Sequence, residues 1–245
     1  MNEIIKSLFA RKSVRAYTGK HISKEDKKLL FEAAANAPTA GNLQLYSMID
    51  VTDQTKKELC AKLCDNQPFI AEADMVVIFL ADYRRWYKAF KDVDNDVREL
   101  GVGDLELAIV DAVVAAQNMV VAAESLGIGS CYIGDIIEHF EEVKEVFNLP
   151  NNVAPACMLV LGYPDQKNID RPKPVRFPLN TFVFENEYHD LSEEEIYQSF
   201  KDRNPALVDP KEFALRIKNF KWPKDGFSDE MNRSMKVIID NFTRK

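Results

Sequence analysis

Apolar residues recur at helical spacing in several stretches of the chain. Ile4, Ile5, Leu8 and Phe9 predict a first helix that ends just before Arg11. The same spacing predicts two further helices that start after the capping residues Ser23 and Asp53. Other helices are predicted at 105–125, 141–147, 192–200 and 228–242. The helix after Ser23 stops near Pro38, and its predicted buried face comprises Leu29, Leu30, Ala33, Ala34 and Ala37.

Shorter apolar segments between these helices predict strands at 45–51, 75–80, 156–161 and 181–185, and a short turn or strand at 130–133. The run from Met75 to Leu80 is apolar without alternation, which is typical of a strand covered on both faces. Thr181–Glu185 instead alternates between apolar and polar positions. The charged segment from Asn186 onward has too little apolar content to fold alone, so we expect an arm that packs on the body or on a partner.

The predicted helix at 105–125 is apolar on nearly every side. It is not expected to span a membrane, because polar residues interrupt it too often: Glu106, Asp111, Gln117, Asn118 and Glu124. A helix this apolar requires cover all round, either from its own domain or from a second subunit.

Composition narrows the class of protein. With 245 residues and 46% hydrophobic content, the chain can form one sizeable core or a core with an arm. The net charge of −7 argues against a general nucleic-acid binder. Cys60 and Cys64 do not complete a zinc-binding pattern and are expected to be reduced core thiols. The N-terminus has no apolar signal segment, which predicts a cytoplasmic protein.

Two segments concentrate cations. Arg11-Lys12-Ser13-Val14-Arg15 combines three cations and a hydroxyl, a set suited to phosphate, although a solvated basic helix end explains it equally simply. The segment 171–178 holds three cations between prolines, as an extended ligand-binding strap or an ordinary linker would. The polar loop 39–42 fits either a ligand contact or a plain turn, and the aromatic residues between Tyr83 and Phe90 fit either core packing or a cover over a pocket.

Several motifs, in this order and approximate spacing, resemble the FMN-dependent nitroreductase and flavin reductase family, especially its larger NADPH-linked type. They extend from residue 1 to about 190, and the main ones are Arg11 to Tyr17, Ala37 to Gln44, Asn66 to Phe69, Asp111 to Gly129, Tyr132 to Gly134, and Lys173 to Pro178 before Glu185-Asn186. No single motif is specific to this family, but the occurrence of all of them in this order is.

The resemblance implies an α+β fold in which a mostly antiparallel sheet is flanked by helices in an interlocked homodimer. It implies a domain at 1–190 that binds FMN at the subunit interface, followed by a helical arm at 191–245. The strand at 182–185 is then expected to join the neighbouring subunit's sheet.

The resemblance also implies which residues contact FMN. Arg11, Lys12, Ser13 and Arg15 are expected at the phosphate and the pyrimidine side, with Lys173 and Arg176 completing the phosphate site. Thr39 and Asn42 match the loop beside the ring, and Gln67 matches a residue that binds the pyrimidine edge. Tyr132, Ile133 and Gly134 are expected to bring backbone against the ring.

The implied activity is hydride transfer from NAD(P)H through FMN to a nitroaromatic, a quinone or free flavin by a ping-pong mechanism, without an obligatory catalytic side chain. Alternatives are a reductive dehalogenase or an FMN-fragmenting oxygenase on the same scaffold, a non-catalytic FMN carrier or redox sensor, and a phosphate-ligand domain without redox function.

Two features depart from the family pattern. Asp135 stands where the larger type often has a second glycine, either close to the flavin or merely as a turn cap. The basic loop that reads the 2′-phosphate of NADPH has no clear counterpart, although Lys218, Lys221 and Lys224 are candidates. The preference between NADH and NADPH therefore stays open.

Overall fold

A computed structural model describes residues 1–223 and 226–244 of the chain. Its helices are α1 (Glu3–Ala10), α2 (Lys24–Ala35), α3 (Gln54–Leu63), α4 (Phe69–Glu72), α5 (Arg84–Val93), α6 (Val102–Ser125), α7 (Phe140–Val146), α8 (Gln166–Asp170), α9 (Glu193–Arg203), α10 (Pro210–Lys221) and α11 (Phe227–Thr243). Its strands are β1 (Tyr46–Asp50), β2 (Met75–Asp82), β3 (Gly129–Ile133) and β4 (Val153–Gly162).

The four strands form one sheet in the order β1-β2-β4-β3, and every pair is antiparallel. Helices α2 and α6 cover one face, where Leu30 and Met119 pack on Phe79 and Leu159. The other face carries α3, α7 and α11, which contribute residues such as Phe242. The predicted α+β class and the antiparallel sheet flanked by helices are therefore confirmed, and β2 is buried on both faces as its continuous apolar run indicated.

Capping residues place several helix starts where the sequence predicted them. The hydroxyl of Ser23 accepts a hydrogen bond from the Asp26 amide at 3.0 Å, and the carboxylate of Asp53 accepts one from the Lys56 amide at 3.0 Å. Ser192 caps α9 in the same way. Each cap satisfies an amide that the first turn of a helix leaves without an intrahelical partner.

The chain divides into two compact units. The first comprises residues 1–171 and 230–245, and the second comprises 172–229. This division differs from the predicted boundary at 190, because α11 from Glu230 onward belongs to the first unit, where Ile238 and Phe242 are buried in the core.

Other local predictions differ from the structure. The segment 181–185 is not a strand; a short 3-10 turn covers Leu179–Thr181 instead. An isolated extended segment needs a neighbouring strand for its backbone hydrogen bonds, and within this single chain it has no such neighbour in the described residues. Leu29 is 49% exposed rather than buried. Helices α5 and α10 were not predicted.

Helix α6 is the one helix among the described residues that is long and apolar enough to cross a membrane. Its buried side packs against β2 and α2, as in the core helix of a globular domain. Its other side leaves Leu107 and Val110 about half exposed in the single chain. Helix α1 has no buried residue and also exposes an apolar face.

Candidate functional site

The cationic segment at 11–17 runs along the edge of the sheet formed by β3. Ser13 forms a parallel bridge with Ser130, and the Val14 amide donates a hydrogen bond to the Ser130 carbonyl at 2.9 Å. Farther along, Tyr17 bridges Pro164 just beyond β4. The segment therefore brings the residues of 11–15 beside β3, although more than a hundred positions separate them in the sequence.

Two glycines allow this close approach. A Cβ atom at Gly129 would lie 2.4 Å from Cγ2 of Val14, and one at Gly162 would lie 2.6 Å from Cδ1 of Tyr17. Atoms cannot approach this closely without displacement, so both positions must lack a side chain. The packing of Val14 and Tyr17 on these glycines sets how the cationic segment lies against the sheet.

The cations of this segment have different surroundings. The Lys12 ammonium donates to the Ile169 carbonyl at 2.8 Å and to the Arg171 carbonyl. The Arg15 guanidinium is exposed and lies 5.8 Å from the centre of the Phe69 ring. Nε of Arg11 is buried and has no hydrogen-bond partner within the described part of the chain. Lys12 thus helps to hold the segment in place, whereas Arg15 faces solvent.

A cavity of about 310 Å³ opens beside Arg11 and Lys12. Its wall also includes Val14, Gly129 and Asn168. Asn168 is buried and accepts a hydrogen bond from the Arg15 amide at 3.4 Å, which further fixes the segment. Arg11 and Lys12, two of the predicted cofactor-binding residues, thus line a cavity in the first unit.

Gln67 follows α3 and reaches the turn after β3. Its side-chain nitrogen lies 2.6 Å from a carboxylate oxygen of Asp135, directly after Gly134. This hydrogen bond brings Gln67, predicted at the pyrimidine edge, to the residue that follows the predicted ring-backbone segment Tyr132 to Gly134. Neighbouring Glu138 is buried, and burial together with the charge of Asp65 raises the pKa of its carboxyl group.

Tyr132 points away from the Gln67 side of β3, because successive residues of a strand face opposite ways. Its hydroxyl donates to the Gln117 side chain of α6 at 3.3 Å. Burial raises the pKa of Tyr132 and of Tyr17 well above the ordinary value for a phenol, so both stay protonated at neutral pH. Neither phenol can act as a base there.

The loop at 39–44 is held by Asp111, a carboxylate of α6 that is only 3% exposed. Its two oxygens accept hydrogen bonds from the amides of Ala40 at 2.9 Å and Leu45 at 3.1 Å. The loop needs this support because Asn42 and Gln44 adopt left-handed backbone conformations, with φ of 58° and 51°. In the sequence, Asp111 stands out as a charged residue inside an apolar helix, but its hydrogen bonds to the amides of this loop were not predicted.

Helix α5 also supports the loop at 39–44. The Trp86 indole donates to the Leu43 carbonyl at 2.7 Å, and the Arg85 guanidinium donates to the Gln44 carbonyl at 3.2 Å. Tyr83 and Tyr87 are buried in the core, which agrees with the core-packing interpretation of this aromatic segment. Thr39 accepts a hydrogen bond from the Gln44 amide at 3.2 Å and belongs to this braced loop.

The structure does not join all of the predicted site residues. Thr39 and Asn42 sit on the Asp111 loop, and no described hydrogen bond links them to the segment at 11–15. Lys173 and Arg176 belong to the second unit, as do Lys218 and Lys221 of α10. Lys224 lies outside the described residues. Among the described residues, no group of three His, Cys, Asp or Glu side chains is placed to hold a metal ion.

Known proteins share both the sequence and the fold. A family model described as "Nitroreductase family" matches residues 8–163. An NADPH-flavin oxidoreductase of Vibrio harveyi is 33% identical over 221 residues, which cover 90% of this chain and 87% of that protein. An NAD(P)H FMN reductase of Bacillus subtilis is 34% identical over 175 residues, 71% of this chain and 70% of that protein. The structure of nitroreductase A from Vibrio parahaemolyticus covers 100% of both chains with a TM-score of 0.81 at 27% identity.

Proposed function

The chain belongs to the nitroreductase family, and on that premise we propose that this NAD(P)H-dependent oxidoreductase uses FMN to reduce a nitroaromatic compound, a quinone or free flavin. When bound, FMN supplies a hydride acceptor that takes electrons from NAD(P)H and yields them to a second substrate in ping-pong order. The observation that best supports the proposal is the contact between the segment at 11–17 and β3, because it joins two groups of predicted cofactor residues.

The chemistry of the side chains present fits FMN. A phosphate needs cations and hydrogen-bond donors, which Arg15, the buried Nε of Arg11 and the hydroxyl of Ser13 provide. The buried hydroxyl of Ser130, next to the bridge with Ser13, also has no partner in the described part of the chain. Unsatisfied buried polar atoms are costly, so such atoms beside a cationic segment favour a polar ligand there.

Each group of residues has a distinct proposed role. Arg11, Lys12, Ser13 and Arg15 would hold the phosphate and the pyrimidine side. The family resemblance also assigns Lys173 and Arg176 to phosphate binding. Gln67 would bind the pyrimidine edge, Thr39 and Asn42 would line the ring, and backbone from Tyr132 through Ile133 to Gly134 would lie against it. The cations at the pyrimidine side would favour the negative charge that reduction places there.

We also propose that the active protein is a homodimer. Ile4 and Phe9 of α1 are 63% and 64% exposed, and Leu107 and Val110 of α6 are 48% and 47% exposed in one chain. Exposed apolar residues on two adjacent helices form a surface that a second subunit can bury. A helix as apolar as α6 was expected to need such cover.

Rapid-mixing experiments test the activity directly. The flavin-loaded protein is mixed anaerobically with NADH or NADPH while flavin absorbance at its visible maximum is followed. Bleaching by either nucleotide, followed by recovery when a quinone, a nitroaromatic or free flavin is added, supports the proposed cycle. A protein that retains flavin but is not bleached by either nucleotide is a carrier or sensor. A protein that stays colourless when FMN is supplied contradicts the cofactor assignment.

The phosphate assignment is tested by Arg15→Ala. Loss of one charge-assisted contact should weaken FMN binding roughly 10- to 100-fold. Lys201→Ala, which removes an exposed cation of α9 outside the proposed site, serves as the matched control and should leave the dissociation constant unchanged. Flavin fluorescence titration measures both constants. Equal effects of the two substitutions would count against the mapping.

A further inference from the structure

The amide of Gln67 is held in one orientation by two acceptors. Its nitrogen Nε2 donates to the Cys64 carbonyl at 2.9 Å and to Oδ2 of Asp135 at 2.6 Å. A carbonyl and a carboxylate can only accept hydrogen bonds, so the nitrogen and not the oxygen of the amide must face them. Both N–H hydrogens of Gln67 are therefore used within the protein.

The oxygen Oε1 is then the only polar atom of this side chain that is left for a ligand. No hydrogen bond to Oε1 comes from any residue that the structure describes. Gln67 is half-buried, and its backbone is fixed because its amide donates to the Ala61 carbonyl at 2.9 Å and its carbonyl accepts from the Ile70 amide at 3.1 Å. The side chain thus presents an acceptor, and never a donor, from a rigid base.

Asp135 is equally well fixed. It opens the short 3-10 turn Asp135–Ile137 directly after Gly134, and its carbonyl accepts a hydrogen bond from the Glu138 amide at 2.9 Å. Its carboxylate does not cap that turn, because the bonded side-chain partner is Gln67, 68 positions earlier in the chain. The earlier alternative, that Asp135 merely caps a turn, does not describe its side chain.

We propose that Asp135 is a positioning residue that locks the Gln67 amide so that its carbonyl oxygen selects a ligand with an N–H group at the bonded edge. This inference rests on the proposed function, in which that ligand is the flavin ring. The pyrimidine edge of a flavin carries one N–H, at N3, between two carbonyl groups. Only an acceptor can bind N3–H, whereas a flipped amide would place its own donor against that N–H.

The test compares FMN with 3-methyl-FMN, which has a methyl group in place of the N3 hydrogen. The full-length protein is freed of flavin, and dissociation constants are measured by quenching of flavin fluorescence. The wild-type protein should prefer FMN over 3-methyl-FMN roughly 10- to 100-fold, since the methyl compound leaves Oε1 without its partner.

Asp135→Ala removes the shorter of the two hydrogen bonds that orient the Gln67 amide and leaves only the one to the Cys64 carbonyl, so the amide can rotate more easily. We expect FMN binding to weaken about 3- to 10-fold, while binding of 3-methyl-FMN stays unchanged or improves, so that the preference shrinks by a similar factor. Asp135→Asn keeps an acceptor oxygen facing Gln67 and should retain the wild-type preference within about twofold. Glu72→Ala, which removes an exposed carboxylate at the end of α4, is the control and should leave the preference unchanged.

Each of the following results would contradict the inference. An Asp135→Ala protein that loses affinity for both flavins equally has a general defect in the site and not a freed amide. An Asp135→Asn protein that behaves like Asp135→Ala shows that charge, and not an acceptor oxygen, is what Asp135 supplies. An unchanged preference in Asp135→Ala shows that other contacts orient Gln67. Failure of the wild-type protein to bind either flavin contradicts the proposed function itself and is thereby distinguished from these outcomes.

Discussion

Substitution of Gly129 by alanine tests how the cationic segment is seated on the sheet. The added Cβ would lie 2.4 Å from Cγ2, 2.9 Å from Cβ and 3.2 Å from Cγ1 of Val14. Because Val14 is buried and its amide is hydrogen-bonded to Ser130, the side chain cannot move aside without shifting the backbone. We expect Gly129→Ala to lower the free energy of unfolding by about 1–3 kcal/mol, the usual cost of overpacking.

Combining Gly129→Ala with Val14→Ala tests whether the close contact between these two residues causes the loss of stability. Val14→Ala removes two methyl groups and should cost about 1–2 kcal/mol by itself. In the double mutant, the new Cβ at position 129 occupies space that the valine methyl groups vacated, and only the contact at 2.9 Å between the two Cβ atoms remains to be relieved by a small shift. The double mutant should therefore be more stable than the sum of the two single effects indicates, by about 1–3 kcal/mol.

Equilibrium urea denaturation, followed by tryptophan fluorescence, measures these free energies. Gly103→Ala is the matched control, because a Cβ at Gly103 in α6 meets no atom within 4 Å. It should be neutral or should stabilise the protein by about 0.5–1 kcal/mol, as alanine usually does in a helix. The FMN dissociation constant should rise in Gly129→Ala and recover in the double mutant. Strictly additive losses of stability would refute the close-contact explanation.

Two further predictions concern stability and assembly. Arg98 donates two hydrogen bonds to Asp104, at 2.6 and 2.7 Å, and holds the pKa of that carboxyl below its usual range. The stability that these hydrogen bonds provide is fully present above about pH 4, the pKa of an unperturbed aspartate. It is lost as the pH falls through the lower pKa of the folded state. Asp104→Asn should therefore lower the melting temperature by about 2–4 °C at pH 7. In calorimetry, the difference from wild type should shrink as the pH falls below about 4. A difference that keeps its full size at low pH would disprove this account. If the protein is the proposed dimer, Val110→Glu should convert it into a monomer in light scattering, because a carboxylate cannot be buried unpaired in an apolar interface. Leu29→Glu, at a similarly exposed apolar position of α2, should leave the mass unchanged. A dimer that persists in Val110→Glu would exclude this face as the interface.

Elements with strong local signals were predictable from the sequence. The continuous apolar run at 75–80 predicts a strand buried on both faces, and the structure places β2 in the middle of the sheet, between β1 and β4. Ser23 and Asp53 predict helix starts because a short side-chain oxygen can satisfy a free backbone amide. Such signals depend only on neighbours within one turn.

Helix α10 shows where local interpretation was incomplete. Asp209 caps it through the amides of Lys211 and Glu212, and Pro210 occupies its first position. Both signals were present in the sequence, but the helices predicted in this charged tail were those at 192–200 and 228–242. No residue of α10 is buried.

Partners across long sequence separations were not predictable. Nothing near Asp111 in the sequence indicates that its carboxylate binds the amides of Ala40 and Leu45. In the same way, Asp135 was noted as a departure from a family pattern, but its hydrogen bond to Gln67 could not be foreseen. These contacts depend on which elements pack together.

The sequence by itself determined the types of most helices and strands, the reduced and buried state of the cysteines, and the residue classes suited to a flavin. Periodicity, caps and turn residues act over a few positions, so they can be recognised without a structure. The tertiary structure decided that Gly129 and Gly162 admit the segment at 11–17 to the sheet, and that Asp135 orients Gln67. These features arise from packing and hydrogen bonding between distant segments, which no local pattern specifies.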